Sequence, residues 1–192
     1  AQSKKIQCFT SVFSLPDMNI IHSNGDQIIK IPSHEAYNIQ MIKEALSKFD
    51  KVLLSVGAIS LKELNQIEKF KNFENLVVLH CVSSYPLIAN NVNLPKISYL
   101  QNIYQNVGYS GHYDGIDDAV MAMMMGAQII EKHFSLDKNL PGRDNKFALM
   151  PHDLKKLCSF RDNLLLMNED KGLDVQESEL GIIKNYRGRW AN

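Results

Sequence analysis

The sequence predicts an α/β domain built on a parallel sheet, and two observations carry that expectation. Short, almost wholly apolar runs alternate with longer amphipathic ones along the chain, the pattern of strands buried on both faces beneath covering helices. Polar residues able to do chemistry then fall at or just beyond the ends of the apolar runs: Lys30, Ser33, Glu35, Ser55, His80, Ser83, Tyr85, Ser110, His112, Glu131 and His133. In a β/α barrel the active site lies at the C-terminal ends of the strands. The pattern therefore predicts one cleft lined from several parallel strands.

The elements follow in order. Residues 6–13 (IQCFTSVF) are rich in β-formers and read as a first strand, and 27–31 (QIIKI) follow the turn signal Asn24-Gly25-Asp26 as a second. Ile39, Ile42, Ala45, Leu46 and Phe49 make a helical stripe over 38–49. Residues 52–56 (VLLSV) are a buried strand ending at Gly57. Ser60 with Glu63 three residues on forms a capping box, which opens a helix running to about Phe70. Residues 76–81 (LVVLHC) are a fourth strand, 94–104 a helix with Pro95 tolerated in its first turn, and 106–110 (NVGYS) a fifth strand. Helix 115–125 places Asp117 and Asp118 near its positive N-terminal end. A strand over 127–134 (AQIIEKHF) and a helix over 151–167, with Pro151 at its start, complete about six β/α units. Residues 1–170 thus form the barrel domain, and the polar stretch 171–192 is a C-terminal extension or linker.

Composition narrows the function. Lys plus Arg and Asp plus Glu number 21 each, so no basic excess draws the chain to nucleic acid or an anionic membrane, while a local anion pocket remains compatible. The longest apolar run, 119–127, is too short to span a bilayer. Residues 1–5 lead into a strand-like run and not a signal h-region; a cytoplasmic protein is expected from the cysteines. Cys8, Cys81 and Cys158 are widely spaced and odd in number, which argues for buried free thiols in a reducing compartment. The methionines at 121 and 123–125 are expected to fill core space. The chain starts with Ala1 and not Met, as a fragment or a processed chain does.

Six segments, taken together and in this order, resemble the sialic acid synthase family: Lys30-Ile-Pro-Ser-His-Glu35, Leu54-Ser-Val-Gly57, Leu79-His-Cys-Val-Ser-Ser-Tyr-Pro86, Gly108-Tyr-Ser-Gly-His112, Ile130-Glu-Lys-His-Phe134 and Pro141-Gly-Arg-Asp144. The likeness covers residues 6–155 and implies a TIM-type (β/α) barrel, here partial, of about six β/α units. It implies a nonulosonic (sialic) acid synthase, a carbon–carbon bond-forming transferase. Such an enzyme condenses phosphoenolpyruvate with an N-acyl amino sugar such as N-acetylmannosamine, using a divalent metal, commonly Mn²⁺. By that resemblance His112 and His133 are metal ligands, and Lys30 and Ser33 hold the phosphate or carboxylate of phosphoenolpyruvate. Ser55, Ser83 and Ser110 add hydroxyl donors, Glu35 and Glu131 are the catalytic carboxylates, and Tyr85 and Asp144 contact the sugar. The implied course is attack of the enolic carbon on a metal-polarised aldehyde, addition of water at C2, and loss of phosphate by C–O cleavage. Read from the residues alone, plainer alternatives stay open. The histidines can be hydrogen-bonded at a rim, the serines can cap turns, Tyr85 can pack ahead of Pro86, and Glu131 can pair with a lysine such as Lys30.

The chain departs from the family pattern at His34 (usually Gly), Val56 (Thr), Ser83 (Asn), Gly111 (Asp) and Arg143 (Pro). Its first strand looks like the family's third, so two β/α units and an antifreeze-like domain are not in this chain. Six strands do not close an eight-stranded barrel, and the expected partners are a second copy or a complementing chain. The alternatives are a non-catalytic or incomplete barrel fragment acting as a binding or scaffold domain, and another phosphoenolpyruvate-dependent aldol synthase.

Overall fold

Six apolar runs pair side by side in chain order: β1 (Thr10–Ser11), β2 (Ile28–Ile31), β3 (Lys51–Ser55), β4 (Leu76–Cys81), β5 (Val107–Gly111) and β6 (Ile130–Lys132), all parallel. The computed structural model describes residues 2–4 and 6–191. The helices are α1 (Leu15–Ser23), α2 (Ile39–Lys48), α3 (Leu61–Ile67), α4 (Pro95–Gln101), α5 (Asp117–Met124), α6 (Pro151–Met167) and α7 (Leu180–Tyr186). Parallel strands need crossover connections, and the helices supply them. Contacts divide the chain into two compact units, one through Arg161 and one from Asp162 onward, the boundary falling inside α6. The second unit contains a 3₁₀ turn, Glu177–Glu179, and α7.

Side chains alternate between the two faces of the sheet, and register partners share a face. Ile29, Ile31, Val52, Leu54 and Val78 belong to the main core with Met41, Ile42, Ile67 and Ile97 of the helical layer. Each such fully buried side chain contributes roughly 1.5–3 kcal/mol. On the other face Leu53, Val77 and Leu79 form a small separate cluster with Ile129. That inner face also carries Lys30, opposite Leu53, and Ser55, opposite Leu79. Ser110 lies there too, between Cys81 and Glu131. Lys30 of β2 bonds to Glu131 of β6, so the sheet curls until its second and sixth strands face each other, a half-barrel. Among the described residues β1 and β6 each have one strand neighbour.

Most expected elements are present, with informative differences. The first strand is confined to Thr10–Ser11, and the sequence reading passed over α1. The Ser14 hydroxyl caps α1 by accepting from the Asp17 N–H, and Pro16 lies in its first turn. The last strand is shorter than 127–134, although Gln128 N–H and Ile129 C=O already bond to β5. The Ser60–Glu63 capping box forms as expected. All three cysteines are free, but only Cys81 is a buried thiol: Cys8 is exposed because its segment sits at the sheet's end, and Cys158, on α6, is half-buried. Met121 and Met124 are likewise exposed rather than core-filling, since α5 turns that side away from the sheet. Among the described residues no helix is long and apolar enough to cross a membrane.

A buried polar network braces the outer face. The Tyr109 hydroxyl donates to Asp118 Oδ2 at 2.9 Å, and Lys132 Nζ binds both Asp118 oxygens at 3.0 Å and Tyr113 O at 2.7 Å. Gly111 leaves the room: a Cβ there would collide with the Asp118 carboxylate. This network ties β5, β6 and α5 together beneath the strand ends that carry the candidate residues.

Candidate active site

Three groups of candidate residues assemble at the C-terminal rim of the half-barrel. In the first, the Lys30 ammonium pairs with Glu131, and the same carboxylate oxygen accepts from the Ser110 hydroxyl at 3.0 Å. Lys30 is mostly buried, and Ser110 is 3% exposed. The plainer alternative for Glu131, a carboxylate paired with Lys30, is thus what the fold contains. The pair holds a cation on the inner face without leaving it uncompensated.

The second group is a small hydroxyl-lined gap. Ser33 begins the 3₁₀ turn Ser33–Glu35 after β2, and its Oγ accepts from the Gly57 N–H at 3.1 Å. A Cβ added to Gly57 would lie 2.7 Å from Ser83 Oγ and 2.9 Å from Ser33 Oγ. The two hydroxyls therefore face one space, and glycine is needed there to keep it open. Ser55, at the end of β3, is 1% exposed, and among the described residues its hydroxyl has no partner. Two hydroxyls converging on a recess suit an oxyanion.

The third group is aromatic. His112 follows β5 and His133 follows β6, with ring centroids 5.3 Å apart. Tyr85 lies 4.3 Å from the His112 ring and 6.4 Å from the His133 ring. Phe147 closes the cluster at 5.1 Å from His133. Loop bonds place these groups. The Leu87 N–H bonds to His112 O, fixing the loop that carries Tyr85, and the Leu149 N–H bonds to His133 O, fixing the segment that carries Asp144 and Phe147. A cavity of about 860 Å³ opens here, lined by His34, Tyr85, His133, Arg143, Asp144 and Phe147 among others.

The imidazoles have the donor chemistry of metal ligands. Burial, the largest influence on each, holds both pKa values below the usual histidine range, so both rings are neutral at pH 7. His112 Nδ1–H donates to Val82 O at 3.0 Å, which leaves Nε2 with its lone pair. His133 Nδ1 faces Asp144 Oδ2 at 3.7 Å, an electrostatic contact longer than a hydrogen bond. The Nδ1 anchor of His112 orients its Nε2 for a metal. Among the described residues no three His, Cys, Asp or Glu side chains gather into a ligand group. The pair fits a divalent ion as two of its ligands, with oxygen donors from water or substrate completing the coordination.

Glu35 shares the turn with Ser33 and is partly buried, and among the described residues its carboxylate makes no hydrogen bond or ion pair. The structure thus joins Lys30 to Ser110 and Glu131, Ser33 to Ser83, and Tyr85 to His112, His133 and Asp144. It joins neither Glu35 nor Ser55 to another candidate. Sequence reasoning missed Phe147, whose only signal is its place five residues beyond the Pro141-Gly142 turn that introduces Arg143. It also took Gly57 only as a strand end.

One rim of a parallel half-barrel thus carries a hydroxyl-lined recess and a neutral imidazole pair, the place where β/α barrels build their sites. The chain belongs to the NeuB family, whose profile matches residues 1–171. It is 35% identical over 165 residues to the N,N'-diacetyllegionaminic acid synthase of Campylobacter jejuni, covering 83% of this chain and 49% of that protein. It is 36% identical over 189 residues to the pseudaminic acid synthase of the same species, covering 96% and 54%. The solved N-acetylneuraminic acid synthetase of Leptospira borgpetersenii, in complex with citrate, superposes with a TM-score of 0.85 at 34% identity, over 100% of this chain and 68% of that one. The chain spans about half the length of the curated relatives it matches. It is a nonulosonic acid synthase family member.

Proposed function

We propose that this chain forms the phosphoenolpyruvate- and metal-binding side of a nonulosonic acid synthase acting on an N-acyl amino sugar of the N-acetylmannosamine type. The observation that carries the reading is that one rim gathers the hydroxyl-lined recess at Gly57 and the neutral His112–His133 pair. The relatives named for legionaminic and pseudaminic acids support the class of product. A second copy or a complementing chain would complete the barrel, and three free thiols suit a cytoplasmic setting.

In the proposed reaction C3 of phosphoenolpyruvate bonds to the aldehyde carbon of the sugar, whose oxygen ends as a hydroxyl. Water supplies its oxygen to C2, and the C2–O bond breaks as inorganic phosphate leaves with the electron pair. Ser33 and Ser83 donate to the phosphate, Ser55 stands as a further donor on the inner face, and Ser110, whose proton is on Glu131, helps hold that carboxylate. Lys30, held in place by Glu131, faces the substrate carboxylate. Glu35 takes the proton from the attacking water. Tyr85 and Asp144, lining the cavity, orient the sugar. Mn²⁺ held by His112 and His133 would supply Lewis-acid polarisation of a carbonyl oxygen.

Isothermal titration of phosphoenolpyruvate, with and without Mn²⁺, tests the reading on the wild-type chain and a His112→Ala/His133→Ala variant. Binding of both ligands, with Mn²⁺ binding lost in the variant, is expected. A folded wild-type chain that takes up neither ligand overturns it and leaves a scaffold domain.

A further inference from the structure

Lys96 lies outside every candidate group, yet it touches the backbone of the recess. It stands in the first turn of α4, and its Nζ donates to Val56 O at 2.8 Å. That carbonyl belongs to the Val56–Gly57 peptide, and the N–H of the same peptide donates to Ser33 Oγ at 3.1 Å. One peptide unit is thus pulled on from both ends. An ammonium at its oxygen deepens its dipole and strengthens the hydrogen bond at its nitrogen. Because the Ser33 oxygen accepts from Gly57, its own hydroxyl hydrogen is free to point elsewhere. The open direction is the space a Gly57 Cβ would fill, which the Ser83 hydroxyl also faces.

The charge balance points the same way. Lys30 is neutralised by Glu131, so the cation on the inner face is already paired. Lys96 is partly buried, and among the described residues no carboxylate lies within ion-pair distance of it. Burial, its largest influence, lowers its pKa, as expected for a charge that lacks compensation. A half-buried cation one peptide from a hydroxyl-lined recess has its missing counter-charge in whatever anion the recess takes.

We propose that Lys96 is a positioning residue for that anion: through the Val56–Gly57 peptide it sets the polarity of the Ser33–Ser83 recess, and a phosphate or carboxylate bound there is its counter-charge. This rests on the recess being the anion site of the proposed function. It assigns a role to a residue that no resemblance singled out. Lys96 need not touch the ligand.

The test is titration of inorganic phosphate and of phosphoenolpyruvate into the wild-type chain and the Lys96→Arg, Lys96→Gln and Lys96→Met variants, with a thermal melt of each. Glutamine keeps a donor for Val56 O without the charge, so it separates structure from electrostatics. The expected result is wild-type-like melting for Lys96→Gln with both anions bound about tenfold more weakly, the effect of one charge at an effective dielectric of about 20. Lys96→Arg restores affinity. Gln and Met variants that bind both anions as tightly as wild type overturn the role of Lys96 and leave the proposed function standing. A wild-type chain that binds inorganic phosphate in a Lys96-dependent way but refuses phosphoenolpyruvate overturns the proposed substrate and upholds Lys96. A wild-type chain that binds neither overturns both.

Discussion

Gly57→Ala is the most informative single substitution in the recess. The new methyl carbon would lie 2.7 Å from Ser83 Oγ, 2.9 Å from Ser33 Oγ and 3.1 Å from the Cys81 carbonyl oxygen. The two hydroxyls sit on single rotatable bonds and can swing away, whereas the carbonyl is backbone and must yield by a few tenths of an ångström. Stability should therefore fall by only about 1–3 kcal/mol, the range for a tightly overpacked site. Ligand binding suffers more, because turning both hydroxyls aside removes two hydrogen bonds to a charged group. Each is worth about 1.5–3 kcal/mol. Anion affinity should drop roughly 100-fold or more, at 1.4 kcal/mol per factor of ten. Calorimetric titration of phosphoenolpyruvate, paired with urea denaturation, separates the two effects. A variant that loses stability yet binds within twofold of wild type would show that the ligand does not occupy this space.

Three further outcomes are expected. His80 is fully buried, with Nε2 on Val92 O at 2.8 Å and burial pressing its pKa down from 6.5 to about 4. The unfolded chain takes up a proton below pH 6.5 that the folded chain refuses until about pH 4. Stability should fall through that window by about 3 kcal/mol, and a His80→Gln variant should show a shallower fall in urea melts at pH 7, 5.5 and 4. His112 and His133 press in the same direction. Asp118→Ala strands the Lys132 ammonium, whose side chain is 5% exposed, and should cost about 3–5 kcal/mol in chemical denaturation, with Lys132→Met added on top recovering part of it. Glu131→Gln releases the charge of Lys30, so inorganic phosphate should bind more tightly by titration, and unchanged or weaker binding would contradict an inward-facing Lys30.

The strands with the strongest local signal were legible from the sequence. Residues 76–81 are apolar except for His80 and buried throughout, and β4 has those bounds. Helix 151–167 begins at a proline that fixes its first turn, and α6 has those bounds. The helix α1 was passed over because its interior includes Asn19, His22 and Ser23, and its apolar stripe is weak. Its Ser14-Leu15-Pro16-Asp17 cap was the available signal. For the site, strand-end position and parity located the inner-face residues. Partnerships across the curl were another matter: Lys30 and Glu131 are 101 residues apart in sequence, and only the closing of the sheet brings them together. The same holds for the Tyr109–Asp118–Lys132 network, since Asp118 near a helix N-terminus has a local reading that hides its buried partners. Lys96 carried no signal, because its contact is with a backbone carbonyl 40 residues away.

The most direct test of a shared anion and metal cleft is the ³¹P resonance of phosphoenolpyruvate in the presence of the protein and Mn²⁺. Paramagnetic broadening reports nearness of metal and phosphorus and requires no turnover. Strong broadening is expected with the wild-type chain. It should be lost in His112→Ala/His133→Ala, where metal is not held, and in Gly57→Ala, where the anion is not. A sharp phosphorus line while calorimetry shows both ligands bound would place the two sites apart and contradict a shared cleft.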